Sequence, residues 1–497
     1  MHSLAHLGPV ALLSLLVACG GDDSSDTSGG PPPPELLPAD GVTIERVAMY
    51  QGLERDLAEG GSPVFDGVRV IAGRAAAVRV FYQTDADYDG GSVLARLTVL
   101  DGSDAGGGGG AGAPATEKTF DIAGPLQVAG SKPDDLESTV VFDVPGEYLT
   151  PTSQFRVELL RVKAQTSGTN TKASYPTQGD AAIGAVSVGP RVRIVLVPIR
   201  YDADGSGRLP DTSPEQLALY RDVLYKLFPT PEVDLRVAEP FPWGGAVSGQ
   251  GAGWGELLTA MLTHRQKSKA EYDEYYYGIF RARETFPQFC GGGCIAGLSQ
   301  VALKATNDFA RVGVGIGFSG PDIAMTAAHE IGHEHGRGHA PCGTNQGVDG
   351  GYPHADAEIG VYGFDLVTKQ LQKPSMKDFM SYCDPKWVSD FTFEALATRM
   401  LEVNGAARLV HPGGEPKRKS YQRVSLGPDG SARWVEPLEL ERAPLGEPEV
   451  VRITTSSGEQ EVVGHFFPYS HLPGGTLFFE APADAARAVV RGRQVAR

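Results

Sequence analysis

The chain is 497 residues long and 41% hydrophobic, with 61 acidic side chains against 44 Lys and Arg. That length gives room for two to four domains, and the hydrophobic fraction is ordinary for a folded globular chain. A formal charge of −17 excludes nucleic acids and anionic membrane surfaces as partners, because an acidic surface is repelled by both.

The first element is an apolar run at 9–18, too short to cross a bilayer. It ends in Leu16-Val17-Ala18-Cys19-Gly20, which resembles a bacterial lipoprotein cleavage box. On that reading 1–18 is a signal peptide, and Cys19 carries the lipid that is the chain's contact with a membrane. The expected location is the outer membrane or cell surface of a bacterium; a conventional signal peptide would instead release a secreted protein. Gly, Asp and Ser followed by Pro31, Pro32, Pro33 and Pro34 make 19–38 an expected disordered tether.

Residues 39–189 read as β. Short β-branched or alternating runs predict strands at 68–71, 77–82, 95–100, 138–144 and 155–162, with a Gly-Ala-rich loop at 106–115. The expectation is an immunoglobulin-like β-sandwich without a catalytic constellation of its own.

The stretch 190–405 mixes both element types and opens with a buried strand at 192–198. Asp202, Asp204 and Ser206 offer clustered oxygens for a calcium ion, although the plain reading of that segment is a polar turn. Ser213-Pro214-Glu215-Gln216 supplies an N-cap, a first-turn proline and a capping-box partner for a helix to 228. Strands are expected at 275–280, 298–303 and 312–318, then a helix from Asp322.

That helix carries His329-Glu330-Ile331-Gly332-His333-Glu334-His335-Gly336-Arg337-Gly338-His339. His329 and His333, four apart, share one helical face and can hold one metal ion. Glu330 lies beside them as a general base. Gly336 can end the helix in a left-handed turn, so that His339 returns as a third ligand. Three imidazoles suit a zinc ion with one position left open, as catalysis needs. His335 points from another helical face and reads as exposed and non-ligating. Further on stands Asp378-Phe379-Met380-Ser381-Tyr382-Cys383.

The extended histidine motif followed by a methionine turn resembles the metzincin zinc metalloproteases. The resemblance implies an α+β catalytic domain in which Met380 floors the three histidines. It also implies that Tyr382 approaches the metal and stabilises an oxyanion. Ala340 and Pro341 after the third histidine place the chain outside the astacin, serralysin and reprolysin families. In style it is similar to secreted bacterial metalloproteases, including mucin-cleaving ones with β-sandwich domains ahead of the catalytic unit. By the same resemblance an extended protein or glycoprotein substrate adds as a strand to 312–318.

Besides Cys19, four cysteines remain: Cys290, Cys294, Cys342 and Cys383. In an exported chain they favour two disulfides, with three pairings open. The metzincin arrangement brings the segments after His339 and Met380 together, which implies Cys342 with Cys383 and leaves Cys290 with Cys294. A closing helix is expected at 391–403, and 406–497 reads as a small β-rich domain without a visible site.

The expected function is zinc-dependent endopeptidase cleavage of extracellular proteins or glycoproteins. The alternative expectation is a surface adhesin or glycan-binding lipoprotein whose zinc site does not hydrolyse anything.

Overall fold

A computed structural model of the protein describes residues 34–101, 117–409 and 418–497. The expected signal peptide, the Cys19 lipid site, most of the tether and the 106–115 loop lie outside the described residues. The fold is mixed α+β and rich in sheet, with five α-helices among the described residues.

Two antiparallel sheets come first. In one, Val42–Tyr50 lies between Glu54–Glu59 and Ala76–Thr84, and Val140–Val144 pairs with the far side of Ala76–Thr84. In the other, Ser153–Val162 lies between Leu36–Pro38 and Ser92–Asp101, with Glu117–Pro125 beyond. Alternating residues point inward, so Val78, Val80 and Phe142 meet Leu97, Phe155 and Val157 in one shared core. Two expectations are corrected here. Leu36–Pro38 is paired with Ser153–Val162 rather than part of a tether, and Glu35 is salt-bridged to Lys163. Residues 68–71 form a bend and an isolated bridge instead of a strand. Val68 and Ile71 are apolar because they pack into the core around the next sheet, while Gln51 satisfies both Ile71 backbone groups.

That next sheet runs Val233–Val237, Val192–Tyr201, Glu274–Phe280, Val312–Ile316, Gly297–Ser299. The first three pairings are parallel and the last is antiparallel. Glu274–Phe280 and Val312–Ile316 are buried along their whole length, since helices cover both faces. The five helices are α1 (Pro214–Leu227), α2 (Trp254–Lys267), the short α3 (Phe286–Cys290), α4 (Pro321–Glu334) and α5 (Asp390–Leu409), of which α2 and α4 cover the central strands. A Cβ on Gly278 would touch Met261 of α2, whereas one on Gly313 would press on Glu334 of α4. Gly278 pairs with Val314, Gly313's neighbour, and side chains alternate along a strand, so α2 and α4 lie on opposite faces.

The strand expected at 298–303 is only Gly297–Ser299. Beyond it the chain leaves the sheet: the Ala302 amide donates to the His333 carbonyl, and Arg399 donates to Ala302 and Leu303. The strand expected to receive a substrate is also corrected. Val312–Ile316 is internal, flanked on both sides, and Gly297–Ser299 is the edge.

Ser213 caps α1, accepting from the Gln216 amide. The Gln216 side chain reaches Gly320 at the start of α4 instead of closing a capping box, so it ties the two helices together. Last comes a seven-stranded antiparallel sheet. It docks on the preceding part where Phe309 meets Phe467 and Phe478, and where Asn307 pairs with the backbone of Leu445.

Candidate metal centre

Pro321 sits in the first turn of α4 and Asp322 beside it, a favourable start for a helix. His329 and His333 project from one face, with Nε2 atoms 3.2 Å apart. Gly336, at φ +82°, ends the helix in a Schellman turn. Its amide donates to the His333 carbonyl, and that of Arg337 to the Gly332 carbonyl. The reversed chain then bridges to Val348, which brings the His339 ring to 4.7 Å from the His333 ring.

All three rings are held the same way. Nδ1 of His329 bonds the Phe379 carbonyl at 2.8 Å, that of His333 the Arg337 carbonyl at 2.7 Å, and that of His339 the Gln346 carbonyl at 2.5 Å. A carbonyl can only accept, so each Nδ1 carries the proton and each Nε2 presents its lone pair. Burial, then the neighbouring imidazoles, pushes His329 and His333 well below the usual histidine range. Burial and His471 bring His339 to about 4. All three are therefore neutral at physiological pH, as ligands must be.

A fourth histidine completes the group. The ligand atoms of His329, His333, His339 and His471 all lie within 4.8 Å of one another, an arrangement that can hold a metal ion. The donor set fits one: His339 Nε2 is buried without a hydrogen-bond partner. The His329–His333 spacing is close to the roughly 3.4 Å between nitrogens of a tetrahedral site with bonds of about 2.0–2.1 Å. His471 lies in the connection between strands Gly458–Pro468 and Gly475–Phe479 of the last sheet, a region read from sequence as having no site. No local spacing announces it, since it reaches the centre only through the docking of that sheet.

The downstream turn lies against the same helix. Met380 is fully buried, and a Cβ on Gly332 would collide with its Sδ. Asp378 fixes the turn, accepting from the amides of Met380 and Ser389. Tyr382 is 46% exposed, with its ring 5.2 Å from that of His339 and its hydroxyl 2.5 Å from His471 Nδ1. Partial desolvation, then the Glu330 charge, raises its pKa. Cys342 is bonded to Cys383 and Cys290 to Cys294. The first bridge, with the bond from the Tyr382 amide to the Cys342 carbonyl, locks the turn to the segment after His339.

Glu330 is 1% exposed, and its Oε1 is 2.7 Å from His471 Nε2. A Cβ on Gly297 would overlap this carboxyl, so the edge strand passes over Glu330 only because it carries glycine there. Beside the site opens a cleft of about 780 Å³ whose lining includes Ile295, Gly297, Met325, His329, Glu330 and Tyr382.

His335 corrects its expected exposure. It is buried, stacked flat on Tyr275 at 4.0 Å and edge-on to Phe228, with Nδ1 donating to the Ile331 carbonyl. The helix packs on two faces here, so the side away from His329 and His333 is interior too. In the segment considered for calcium, Asp202 is paired with Arg200 and Asp204 with Arg208. Both carboxylates are thus already neutralised by arginine.

No protein-family model matches the chain, and no curated protein matches it significantly.

Proposed function

We propose that the chain is a zinc-dependent endopeptidase of the metzincin type, acting on extracellular proteins or glycoproteins. The observation that carries this reading is the set of three carbonyl-anchored imidazoles whose Nε2 atoms converge beside a buried Glu330 at the wall of an open cleft. A zinc ion held by His329, His333 and His339 would polarise a carbonyl and acidify water. Glu330 takes the proton of the attacking water and passes it to the leaving amine. The Tyr382 hydroxyl, at the cleft wall, donates to the oxyanion.

An extended substrate would pair with the edge strand at Gly297, because the outward groups of Ser299 are already bonded to Ser470. In the Gly297–Ser299 register, the Ile316 amide bonds the Ala296 carbonyl, so the backbone groups of Gly297 face away from Val312–Ile316 and toward the cleft side. The two leading sheets would form an immunoglobulin-like sandwich that presents the catalytic part. The Cys19 motif supports a lipid anchor on the bacterial envelope. Among the described residues no helix is long and apolar enough to cross a membrane.

The test is cleavage of a mixed protein and glycoprotein panel by the chain, wild type beside Glu330→Ala. Products seen only with wild type, and lost on chelation, support the reading. A folded, zinc-loaded wild type that cleaves nothing favours the non-hydrolytic surface-binding alternative.

A further inference from the structure

The last sheet reaches the centre through two consecutive residues, and both touch Glu330. His471 Nε2 lies 2.7 Å from Oε1, and Ser470 Oγ lies 3.4 Å from Oε2. The other ring nitrogen of His471 is 2.5 Å from the Tyr382 hydroxyl. The histidine side chain is 8% exposed. Its placement is fixed by backbone pairing: the Ser470 amide donates to the Ser299 carbonyl at 2.9 Å, and the Ser299 amide to Ser470 Oγ at 3.0 Å. Tyr469 bridges Gln300, and the Gln300 side chain donates to Thr476.

His471 therefore differs from the three other histidines. Each of those gives Nδ1 to a backbone carbonyl, which leaves Nε2 unprotonated. His471 has both nitrogens on side chains of the site. In the neutral ring these bonds select one tautomer. A carboxylate only accepts, so Nε2 carries the proton, and Nδ1 accepts from the Tyr382 hydroxyl.

We infer that His471, with Ser470, is a positioning residue of the site: a hydrogen-bonded bridge from Tyr382 to Glu330, supplied by the last sheet, rather than a fourth metal ligand. This deepens the peptidase reading and rests on it for its catalytic consequence. Held at Oε1, the Glu330 carboxyl cannot rotate toward the metal and become a ligand itself. Before substrate enters, the same ring holds the single Tyr382 hydroxyl proton, which turns to the oxyanion only when one forms in the cleft.

The experiment compares full-length wild type, His471→Ala, His471→Gln and His333→Ala, each checked for folding by its melting temperature. Zinc binding is read by equilibrium dialysis. His471→Ala should keep one zinc per chain with affinity within about five-fold of wild type, whereas His333→Ala loses it. A greater loss of affinity in His471→Ala would overturn the inference in favour of a fourth ligand. On any cleaved peptide, kcat of His471→Ala should fall about 10- to 100-fold with KM little changed, as for removal of an orienting partner. His471→Gln, whose amide can still donate to Glu330, should recover part of that loss. An unchanged or increased kcat would overturn the inference. Long-range proton–nitrogen spectra of the metal-free protein give a readout independent of turnover, with the His471 signal assigned by its absence in His471→Gln. The Nε2–H tautomer is expected, and the Nδ1–H tautomer would overturn the bridge. If wild type cleaves nothing, the peptidase reading fails, while dialysis and spectra still decide the bridge.

Discussion

The Met380 sulfur fills the space that a side chain on Gly332 would need. Gly332 lies between His329 and His333 in sequence, on the turn of α4 that faces the methionine, so the floor of the centre and the glycine of the motif are one packing unit. Gly332→Ala gains about 1 kcal/mol of helix propensity, but it forces Met380 or the helix to shift at a cost of about 1–3 kcal/mol. The expected result is a lower melting temperature together with weaker zinc binding, measured by thermal unfolding and dialysis on the same samples.

Glu330 and His333 should separate chemistry from metal binding. On the proposed peptidase reading, Glu330→Ala removes a proton acceptor but no ligand, so zinc should stay at one per chain while turnover should fall by about 10²–10⁴, the range for general acid–base catalysis. His333→Ala should lose the zinc. Metal analysis beside peptide cleavage checks both.

The disulfide between Cys342 and Cys383 closes a loop of sequence separation 41, with Cα atoms 5.8 Å apart. For a loop of that length, the entropy of the unfolded chain gives a stabilisation of about 4 kcal/mol as an upper figure. The Cys342→Ser, Cys383→Ser double variant should therefore unfold at lower denaturant. Its Tyr382 should become mobile as well, because the bridge holds the adjoining turn. Denaturant titration gives the first quantity and aromatic relaxation spectra the second.

Burial drops the His335 pKa to about 3. The folded state therefore resists a proton that the unfolded chain accepts near 6.5. Stability from this residue is complete above about 6.5 and declines as pH falls toward 3, by up to about 1.4 kcal/mol per pH unit. His335→Phe keeps the stack on Tyr275 and removes the titration, losing the Nδ1 bond to the Ile331 carbonyl but none at Nε2, which has no partner. The acid-unfolding midpoint of the metal-free variant should lie at lower pH than that of wild type, followed by circular dichroism.

What could be read in advance was local. The spacing of His329, His333 and His339, the left-handed turn at Gly336 and the Ser213 cap each depend on a few consecutive residues. Val312–Ile316 and Gly297–Ser299 show where that stops. An apolar run announces a buried strand, but edge or interior is decided by which partners arrive. Val68 and Ile71 were apolar for packing against another part of the chain, not for pairing. The α2 helix lacked a starting signal, because its N-cap is Gly253 at φ +83° with no side-chain bond. His471 had no local signature: its contacts with Glu330 and Tyr382 exist only through the pairing of Ser470 with Ser299.

That pairing also sets an order of events. Ribosomes deliver a chain from its first residue to its last, so the histidines of α4 and Glu330 are made well before His471. A nascent molecule thus carries the ligands of the centre while the bridge over Glu330 is still untranslated. The two become one site only when the last sheet folds onto Gln300 and Phe309, which makes translation of that sheet a condition for a finished centre.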